Sequence, residues 1–497
     1  MAAKRPSPSP ASVLDIIQVL VSIVQCTLSP SDVASFLHAL PPATLTPPLA
    51  ALVQLLSSQE PSSVWPMPNL CDVNDTRAAK NTLVTAMPVF HSMSIGRFSQ
   101  HNIVFPITGI SFDAPFCRFV ANWATKVTHV QLLKSPTTDQ REACYSVLRQ
   151  CTNLQHAFLP CETPLLDAIT TPAHRVSDLR LNLTSNKSAY TSDVVPAIER
   201  WLASGYARHL ALTWLTTPDA RLAQVLASST PSDLALCVSP GVVQSLVANG
   251  IALTHLKKLD LTCGSSARTA DGFRHLAPVL DLPNLKELTL ESKRDGAYCM
   301  LVLPSMVSLQ DLSLCAVDLT EGEMAPLYGP YVLCRARFDY VNFSTASFGA
   351  VLDWALRSPQ LESIAWSSCS HIEKRIDQAA RAMQQCIAAG VRHLSFRHCN
   401  INRTNVTVLA DALAGTCARE PFEMDLSFNT FTVLGQRYLT AALATCTNIT
   451  IRLEGQVSKY FADEDQVHAT EISVAIRCEG LCIYVCSPTP PSSSTSA

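Results

Sequence analysis

The sequence predicts an α/β solenoid, a curved parallel β-sheet with helices along its convex side, preceded by a small α-helical unit at the N-terminus. The first observation behind this prediction is a motif of alternating apolar residues that recurs every 30 residues near the C-terminal end. The second is a helix-length segment after each copy. The three copies are Ile364-x-Trp366-x-x-Cys369, Leu394-x-Phe396-x-x-Cys399 and Met424-x-Leu426-x-x-Asn429.

Each copy of the motif has the pattern of a short strand that buries one face. Side chains alternate between the two faces of a strand, so the two apolar residues lie on one side and the residue between them on the other. Asn429 is suited to bond backbone groups left open at the turn, and the next helix returns the chain to the following strand. One such unit cannot cover its own apolar side, so several units must stack.

The same alternation extends the predicted repeats toward the N-terminus. Their spacing is that of one repeat, except for a gap between Leu312 and Ile364 that is two repeats long. A further, degenerate strand is therefore expected near Cys334–Phe338. The predicted strands centre on Val130, Leu154, Leu179, Leu210, Leu234, Leu259, Leu288, Leu312, Ile364, Leu394 and Met424.

The segments outside the repeats have a different character. Residues 11–66 contain three helix-like stretches separated by proline-containing breaks, and we assign residues 80–486 to the solenoid. Residues 1–10 and 487–497 are rich in Pro and Ser and have almost no apolar side chains. Both are therefore predicted to be disordered tails.

Composition and motifs argue against several classes of function. Of the 497 residues, 47% are hydrophobic and only 15% charged, and the formal net charge is −3. This balance gives no electrostatic reason to expect nucleic acid or an anionic membrane as a partner. The strong phosphate-binding, zinc-protease and serine-hydrolase motifs are missing from the sequence. We expect a protein that is not an enzyme and that uses no cofactor and no metal.

The 19 cysteines form no evenly spaced framework, and many fall at strand or helix ends. We interpret them as reduced core thiols, which indicates a cytoplasmic or nuclear location. The opposing observation is a set of Asn-x-Ser/Thr sequons, such as those at Asn182 and Asn342. N-linked glycan there would place the chain in the secretory pathway.

The repeat motifs resemble those of leucine-rich-repeat proteins, and residues 364–449 are most similar to the ribonuclease-inhibitor type. Residues 11–66 resemble a degenerate F-box, the three-helix module that docks on a Skp-type adaptor of a cullin ubiquitin ligase. The residues that carry this second resemblance, and that it implies for adaptor binding, are Val13, Leu14, Ile17, Val33 and Phe36.

Together the two resemblances imply a non-catalytic adaptor that selects a substrate protein for a cullin ubiquitin ligase. The alternative is a leucine-rich-repeat scaffold or sensor without any ligase link, in which the N-terminal helices only cap the solenoid. In both cases the partner protein is expected on the concave face. The candidate residues there are Asp260, Thr289, Ser313, Ser395, Arg397, His398 and Asp425.

Overall fold

The computed structural model describes most of the chain between residues 13 and 486. The described ranges are 13–72, 76–96, 113–182, 192–213, 218–229, 232–237, 239–262, 272–320, 332–369, 371–431, 433–453, 473–477 and 482–486. The two predicted tails, residues 1–10 and 487–497, lie outside them. By its internal contacts the chain divides into two compact units, Met1–Trp214 and Leu215–Ala497.

The first unit combines nine described helices with five described strands. Its strands pair in parallel and in chain order, from β1 to β5. The elements are α1 Val13–Cys26, α2 Pro30–Ala39, α3 Pro47–Ser58, α4 Pro61–Val64, α5 Arg77–Ala86, β1 Met93–Ile95, α6 Ala114–Asn122, β2 Val127–Gln131, α7 Arg141–Gln150, β3 His156–Pro160, α8 Thr163–Ile169, β4 Asp178–Asn182, α9 Val195–Leu202 and β5 His209–Thr213.

The second unit continues the alternation of strand and helix. Its elements are α10 Ala220–Ser228, β6 Asp233–Cys237, α11 Pro240–Ala248, β7 Lys258–Thr262, α12 Gly272–Leu276, β8 Glu287–Glu291, α13 Gly296–Val302, β9 Asp311–Cys315, β10 Asp318–Leu319, β11 Arg335–Asp339, β12 Asn342–Phe343, α14 Thr345–Ala355, β13 Ser363–Ser367, α15 Ile376–Ala389, β14 His393–Arg397, α16 Arg403–Leu413, β15 Cys417–Asp425, α17 Val433–Leu443, β16 Thr447–Leu453, β17 Ser473–Arg477 and β18 Cys482–Cys486.

Nine described strands of the second unit form a parallel sheet in the order β6-β7-β8-β9-β11-β13-β14-β15-β16. The strands β17 and β18 follow β16 in antiparallel pairing, and the two-residue strands β10 and β12 pair separately. Two parallel strands that are neighbours in the sheet and follow one another in the chain must be joined by a crossover connection. The intervening helices and loops form these connections. The predicted parallel α/β architecture is confirmed at this level.

The predicted strand positions agree closely with the structure. β11 confirms the degenerate strand expected near Cys334–Phe338. All predicted strand centres lie in described strands except Leu154, which precedes the first residue of β3 by two positions. The helix α15 ends at Gly390, whose left-handed φ of +82° is the conformation that a glycine adopts at a helix C-terminus without steric cost.

The N-terminal helices are tied to the elements that follow them within the first unit. The side-chain amide of Gln25 donates to the carbonyl of Val89 at 2.7 Å, and the indole of Trp65 donates to the carbonyl of Thr27 at 2.7 Å. The Trp65 ring also packs 5.8 Å from that of Phe90. The helices thus share one core with α5 and β1. The predicted separation of residues 11–66 from residues 80–486 stays a prediction.

A stack of aromatic rings runs across the sheet core of the second unit. Phe338, Trp366 and Phe396 occupy equivalent positions of β11, β13 and β14, and all three are fully buried. Their ring centroids are 5.8 Å and 5.3 Å apart, with planes tilted by 20° and 13°. Phe348 of α14 approaches Trp366 to 5.2 Å, so the helix packs on this face of the sheet. Offset stacking of this kind adds to the free energy gained by burial.

Asn429 closes the turn after β15 with its buried side chain. Its carbonyl oxygen accepts the backbone N–H groups of Cys399 at 3.0 Å and Ile401 at 3.1 Å. Its amide nitrogen donates to the carbonyls of Phe396 and Leu426, each at 2.8 Å. One side chain therefore satisfies backbone groups of two neighbouring repeats that water cannot reach.

We predict that Asn429→Ala lowers the free energy of unfolding by about 3 kcal/mol or more, because buried backbone donors lose their acceptor. Asn429→Cys should cost about half as much, since the thiol of Cys399 bonds carbonyls at the equivalent place, 3.4 Å from those of Trp366 and Arg397. Urea titration of the full chain measures both values.

The matched control is Asn284→Ala, which removes an exposed bond to Asp281 and should change stability by less than about 0.5 kcal/mol. Equal losses for Asn429→Ala and this control would contradict the role assigned to Asn429.

Candidate functional site

One side of the sheet in the second unit is polar and open to solvent. In the five-residue strands the second and fourth residues are buried, while the first, third and fifth are half-buried or exposed. We name as the sheet face these odd positions of β7, β8, β9, β11, β13 and β14, together with Glu423 and Asp425 of β15. Thr289 shows the pattern, because it lies between the buried Leu288 and Leu290.

The strand register brings five of the seven predicted partner-binding residues into one row along the middle of the sheet face. Asp260 pairs with Thr289, Thr289 with Ser313, and the pairing continues to Asp425. The complete row is Asp260, Thr289, Ser313, Arg337, Ala365, Ser395 and Asp425. Arg337 belongs to the row but was not among the predicted site residues, because its strand lies in the irregular gap of the sequence pattern.

Charged side chains in the middle row and beside it are paired with one another. Lys258 of β7 contacts Glu287 of β8 at 2.9 Å, and Arg335 of β11 pairs with Asp311 of β9. Arg337 pairs with Asp339 of its own strand. Exposed pairs of this kind contribute little to stability. Their effect is to hold long side chains in fixed positions on a surface that a partner could contact.

Carboxylates crowd the start of the sheet face. Burial, followed by the nearby charge of Asp260, raises the pKa of Glu291 above its ordinary range. Burial and the charges of Asp260 and Glu291 likewise raise the pKa of the Cys237 thiol to about 11. The hydroxyl of Thr262 donates to Asp260 at 3.0 Å. This end of the face therefore favours a positively charged group on a partner.

The predicted residues Arg397 and His398 lie at the carboxyl end of β14, several strands along the sheet from this acidic group. Both are exposed. The Arg397 guanidinium stacks over the ring of Phe428, 4.4 Å from its centroid. His398 has a left-handed φ of 57°, and its backbone N–H donates to the carbonyl of Ser427 at 3.0 Å. The carboxyl end of β14 thus combines a cation held over a half-buried ring with an exposed imidazole.

His398 is one of five residues that follow consecutive strands of this sheet in the left-handed conformation. We name them the turn ridge: Ala316, Tyr340, Ser368, His398 and Phe428, with φ between 52° and 60°. The backbone N–H groups of the first three donate to the carbonyl of the last residue of the next strand, at 2.8 to 2.9 Å. That of His398 donates to Ser427, which is the equivalent residue after β15, at 3.0 Å. Tyr340 is 64% exposed. The sequence analysis did not identify Tyr340 or Phe428.

The first unit carries a second polar cluster, which the sequence analysis also missed. We name it the histidine row: His129, His156, Asp178 and His209, at equivalent positions of β2 to β5. The rings of His129 and His156 stack at 4.3 Å, and His156 Nδ1 lies 3.4 Å from the Asp178 carboxylate. His209 Nε2 lies 3.9 Å from the same carboxylate. A signal was present, because His129, Asp178 and His209 each precede a predicted strand centre.

Burial and the nearness of these side chains to one another shift the pKa values of His129 and Asp178. Burial, together with the neighbouring His156, lowers the pKa of His129 to about 4. Burial alone would raise the pKa of Asp178, but hydrogen bonds from His156 and Arg180 and the nearby positive charges outweigh it and lower that pKa to about 2. At neutral pH the row therefore holds a neutral His129 and an ionised Asp178.

The residues predicted to bind an adaptor are only in part accessible. Val33 is fully buried, whereas Ile17 and Phe36 are half-buried. The side chains of Val13 and Leu14 lie outside the described residues.

Other apolar side chains, two on α1 and one just after it, are exposed instead. Val19 is 55% exposed, Ile23 42% and Leu28 78%. Val19 and Ile23 line an open groove with Gln18, Ser22, Cys26 and Thr27. The apolar side chains on the open side of α1 are therefore a patch that the sequence analysis did not identify.

Within the described ranges, the cysteines are free and no group of three or more His, Cys, Asp or Glu side chains is placed to hold a metal ion. Burial raises the pKa of Cys151 and of Cys369 to about 12, which disfavours the reactive thiolate. In the same part of the chain, no helix has both the length and the apolar character needed to cross a bilayer.

Comparison of the sequence with models of protein families and with curated proteins found no match.

We predict that the histidine row makes stability sensitive to pH. Because the folded state lowers the pKa of His129 from its ordinary value near 6.5 to about 4, its contribution is complete above pH 6.5 and is lost as the pH falls through 4. The free energy of unfolding should therefore fall between about pH 7 and about pH 4 less steeply for His129→Gln than for the parent. Urea titrations at several pH values measure this slope.

Replacing the exposed His38 by glutamine is the control and should leave the slope as in the parent. Parallel curves for the parent and for His129→Gln would show that His129 is as accessible to protons in the folded chain as in the unfolded one.

Proposed function

We propose that the chain is a non-catalytic protein-recognition protein of the leucine-rich-repeat class, with repeats of the ribonuclease-inhibitor type, and that it binds a partner protein through the sheet face. The observation that carries the proposal is the in-register middle row, which places solvent-facing side chains of seven consecutive strands on one surface. With strands about 4.8 Å apart, this surface is about 29 Å long. That length suits a protein-sized partner.

The leucine-rich-repeat assignment is supported by the turn chemistry after the strands. Asn429 bonds backbone groups of its own repeat and of the preceding one, as its place in the repeat motif requires. Cys399 and Cys369 occupy the same place one and two repeats earlier, and their thiols also contact backbone carbonyls at 3.4 Å. In such a solenoid the sheet face is concave, and concave faces are the usual binding surfaces of repeat proteins.

Polar and charged residues make the sheet face suited to recognition. It mixes paired ions with short hydroxyl side chains such as Thr289, Ser313 and Ser395, so a partner would be selected by charge complementarity and hydrogen bonding more than by apolar contact. The acidic end near Asp260 and the cationic edge near Arg397 differ in sign. A partner with the opposite arrangement of charges would bind in one orientation.

A second candidate function is that of a substrate-recognition adaptor in a cullin ubiquitin ligase, acting in the cytoplasm or nucleus. It is favoured by the exposed apolar side chains Val19 and Ile23 on α1, since a docking module must keep apolar surface for its adaptor. The alternative is that these helices only cap the sheet. The burial of Val33 and the bonds of Gln25 and Trp65 to neighbouring backbone favour the cap.

We predict that a photo-crosslinker placed at Ser395 on the sheet face captures a specific partner protein in extracts of the native cells. The same reagent at Gln385, an exposed position of α15 on the helical side, is the control and should not capture that protein. Asp260→Arg should reduce capture at Ser395 at least about tenfold, because it puts a positive charge at the acidic end of the face, where a complementary partner is itself positive, and like charges there cost several kcal/mol.

Mass spectrometry of the crosslinked bands reads the result. Capture of the same protein with equal yield at Ser395 and Gln385 would contradict recognition through the sheet face. Capture that Asp260→Arg leaves unchanged would contradict it as well.

For the ligase candidate, we predict that the intact chain binds a purified Skp-type adaptor and that Val19→Asp with Ile23→Asp weakens this binding at least about tenfold. Both side chains are exposed, so melting should change little. Val84→Asp is the matched control, because Val84 is 45% exposed on a different helix, α5.

Calorimetric titration measures the affinity. Absence of binding by the intact chain would remove the ligase candidate and leave the N-terminal helices as a cap. Binding that is insensitive to the double variant would place the docking surface away from the open side of α1.

A further inference from the structure

We propose that the carboxyl edge of the sheet between β11 and β15 binds a short extended peptide segment of the partner, in which an acidic side chain meets Arg397 and an apolar side chain covers Tyr340. The inference rests on the proposed function, because it supposes that a protein binds this sheet. It specifies which part of the sheet edge holds the partner and which side chains make the contact.

The backbone of the turn ridge has a structural explanation. The N–H of Tyr340 donates to the carbonyl of Ser367 at 2.9 Å, and that of Ser368 to Arg397 at 2.9 Å. Each left-handed residue thus extends the pairing between strands by one bond. Glycine or asparagine would adopt this conformation with less strain than a bulky residue.

The backbone hydrogen bonds of the turn ridge do not require the aromatic side chains that two of its residues carry. Tyr340 adopts a φ of 55° and still leaves 64% of its surface in solvent, so its ring gains little from burial. Phe428 has a φ of 60° and is half-buried below the Arg397 guanidinium. An exposed aromatic ring on a strained backbone, as at Tyr340, points to contact with a ligand.

Three arginines of this sheet, unlike Arg397, are held in ion pairs. Arg335, Arg337 and Arg452 each form an ion pair, with Asp311, Asp339 and Glu423 respectively. Among the described residues, no carboxylate lies within ion-pair distance of Arg397. The nearby Asp425 accepts the backbone N–H of Ser427 at 2.9 Å.

Stacking on Phe428 fixes the plane of the Arg397 guanidinium and leaves its N–H groups for a ligand. A planar guanidinium recognises a carboxylate through two parallel hydrogen bonds. His398, exposed beside it, contributes no negative charge. The edge is therefore complementary to an acidic side chain.

The distance along the edge sets the spacing in the peptide. Arg397 lies at the end of β14 and Tyr340 follows β11, two strand spacings away in the sheet. Two spacings of about 4.8 Å correspond to about three residues of an extended polyproline II chain at about 3.1 Å each, and its period of three puts side chains three residues apart on one face. The acidic and the apolar side chain should therefore be about three residues apart.

The test selects binders from a phage-displayed library of random heptapeptides on the immobilised full-length protein. We expect enrichment of Asp or Glu about three positions from a large apolar residue. Synthetic peptides of the enriched sequences should bind the parent, and Arg397→Gln and Tyr340→Asn should each weaken binding at least about tenfold. Asparagine tolerates the left-handed backbone, so Tyr340→Asn removes the ring without adding strain.

Two controls make the test specific to the edge. Tyr438→Ala removes a ring that is 47% exposed on α17 and should leave binding unchanged. Replacing the acidic residue of the peptide by its amide should weaken binding to the parent but have little further effect on Arg397→Gln, because the two changes remove the same ion pair.

The inference is overturned if no peptide is enriched, if enriched peptides lack the acidic residue, or if Arg397→Gln and Tyr340→Asn bind them as the parent does. Failure of this inference and failure of the proposed function give different results at Ser395. If the partner is still captured at Ser395, recognition by the sheet face stands and only the edge site is lost. If Ser395 captures no protein, the proposed function itself fails.

Discussion

The second unit depends on one constraint, which is that neighbouring parallel strands pair residue for residue over five positions. This pairing is continuous from β6 to β14, and it places equivalent positions of the strands beside one another. On the buried side it aligns Phe338, Trp366 and Phe396 into a stack of rings. On the open side the same register aligns the middle row. A shift by one residue in any strand would turn its apolar side chains to solvent, so the core and the candidate surface are specified by the same hydrogen bonds.

A second requirement applies where the chain leaves the sheet at the ends of the strands. Buried backbone groups there must still find hydrogen-bond partners. The turn ridge does this with left-handed residues whose N–H groups reach the next strand, and Asn429 does it with its side chain. Cysteine thiols take the place of Asn429 in the two preceding repeats. These solutions leave the outer side chains at the edge free to vary in type, which is why Tyr340 and His398 can differ from Ala316 without affecting the pairing.

The first unit applies the same alternation to different residues. Its strands place three histidines and an aspartate in one row, where the second unit has hydroxyl and charged groups. The stacked pair His129 and His156 is partly desolvated, so protonation of His129 is disfavoured. The N-terminal helices of this unit share a core with α5 and β1, yet Val19 and Ile23 remain open on α1. Capping and docking are therefore compatible uses of the same helices.

The sequence by itself determined the parallel α/β architecture and which residue of each strand faces solvent, because the alternation of side chains along a strand is a local property. For this reason Thr289, Ser313 and Ser395 could be assigned to one face without a structure, and Trp366 and Phe396 to its core. The sequence could also place a strand in the gap near Cys334, but not the role of Arg337. Only the tertiary structure decided which residues become neighbours. The histidine row, the stacking of Arg397 on Phe428, the exposure of Tyr340 and the burial of Val33 all depend on contacts between segments far apart in the chain. Those contacts are fixed by register and packing, which no local pattern encodes.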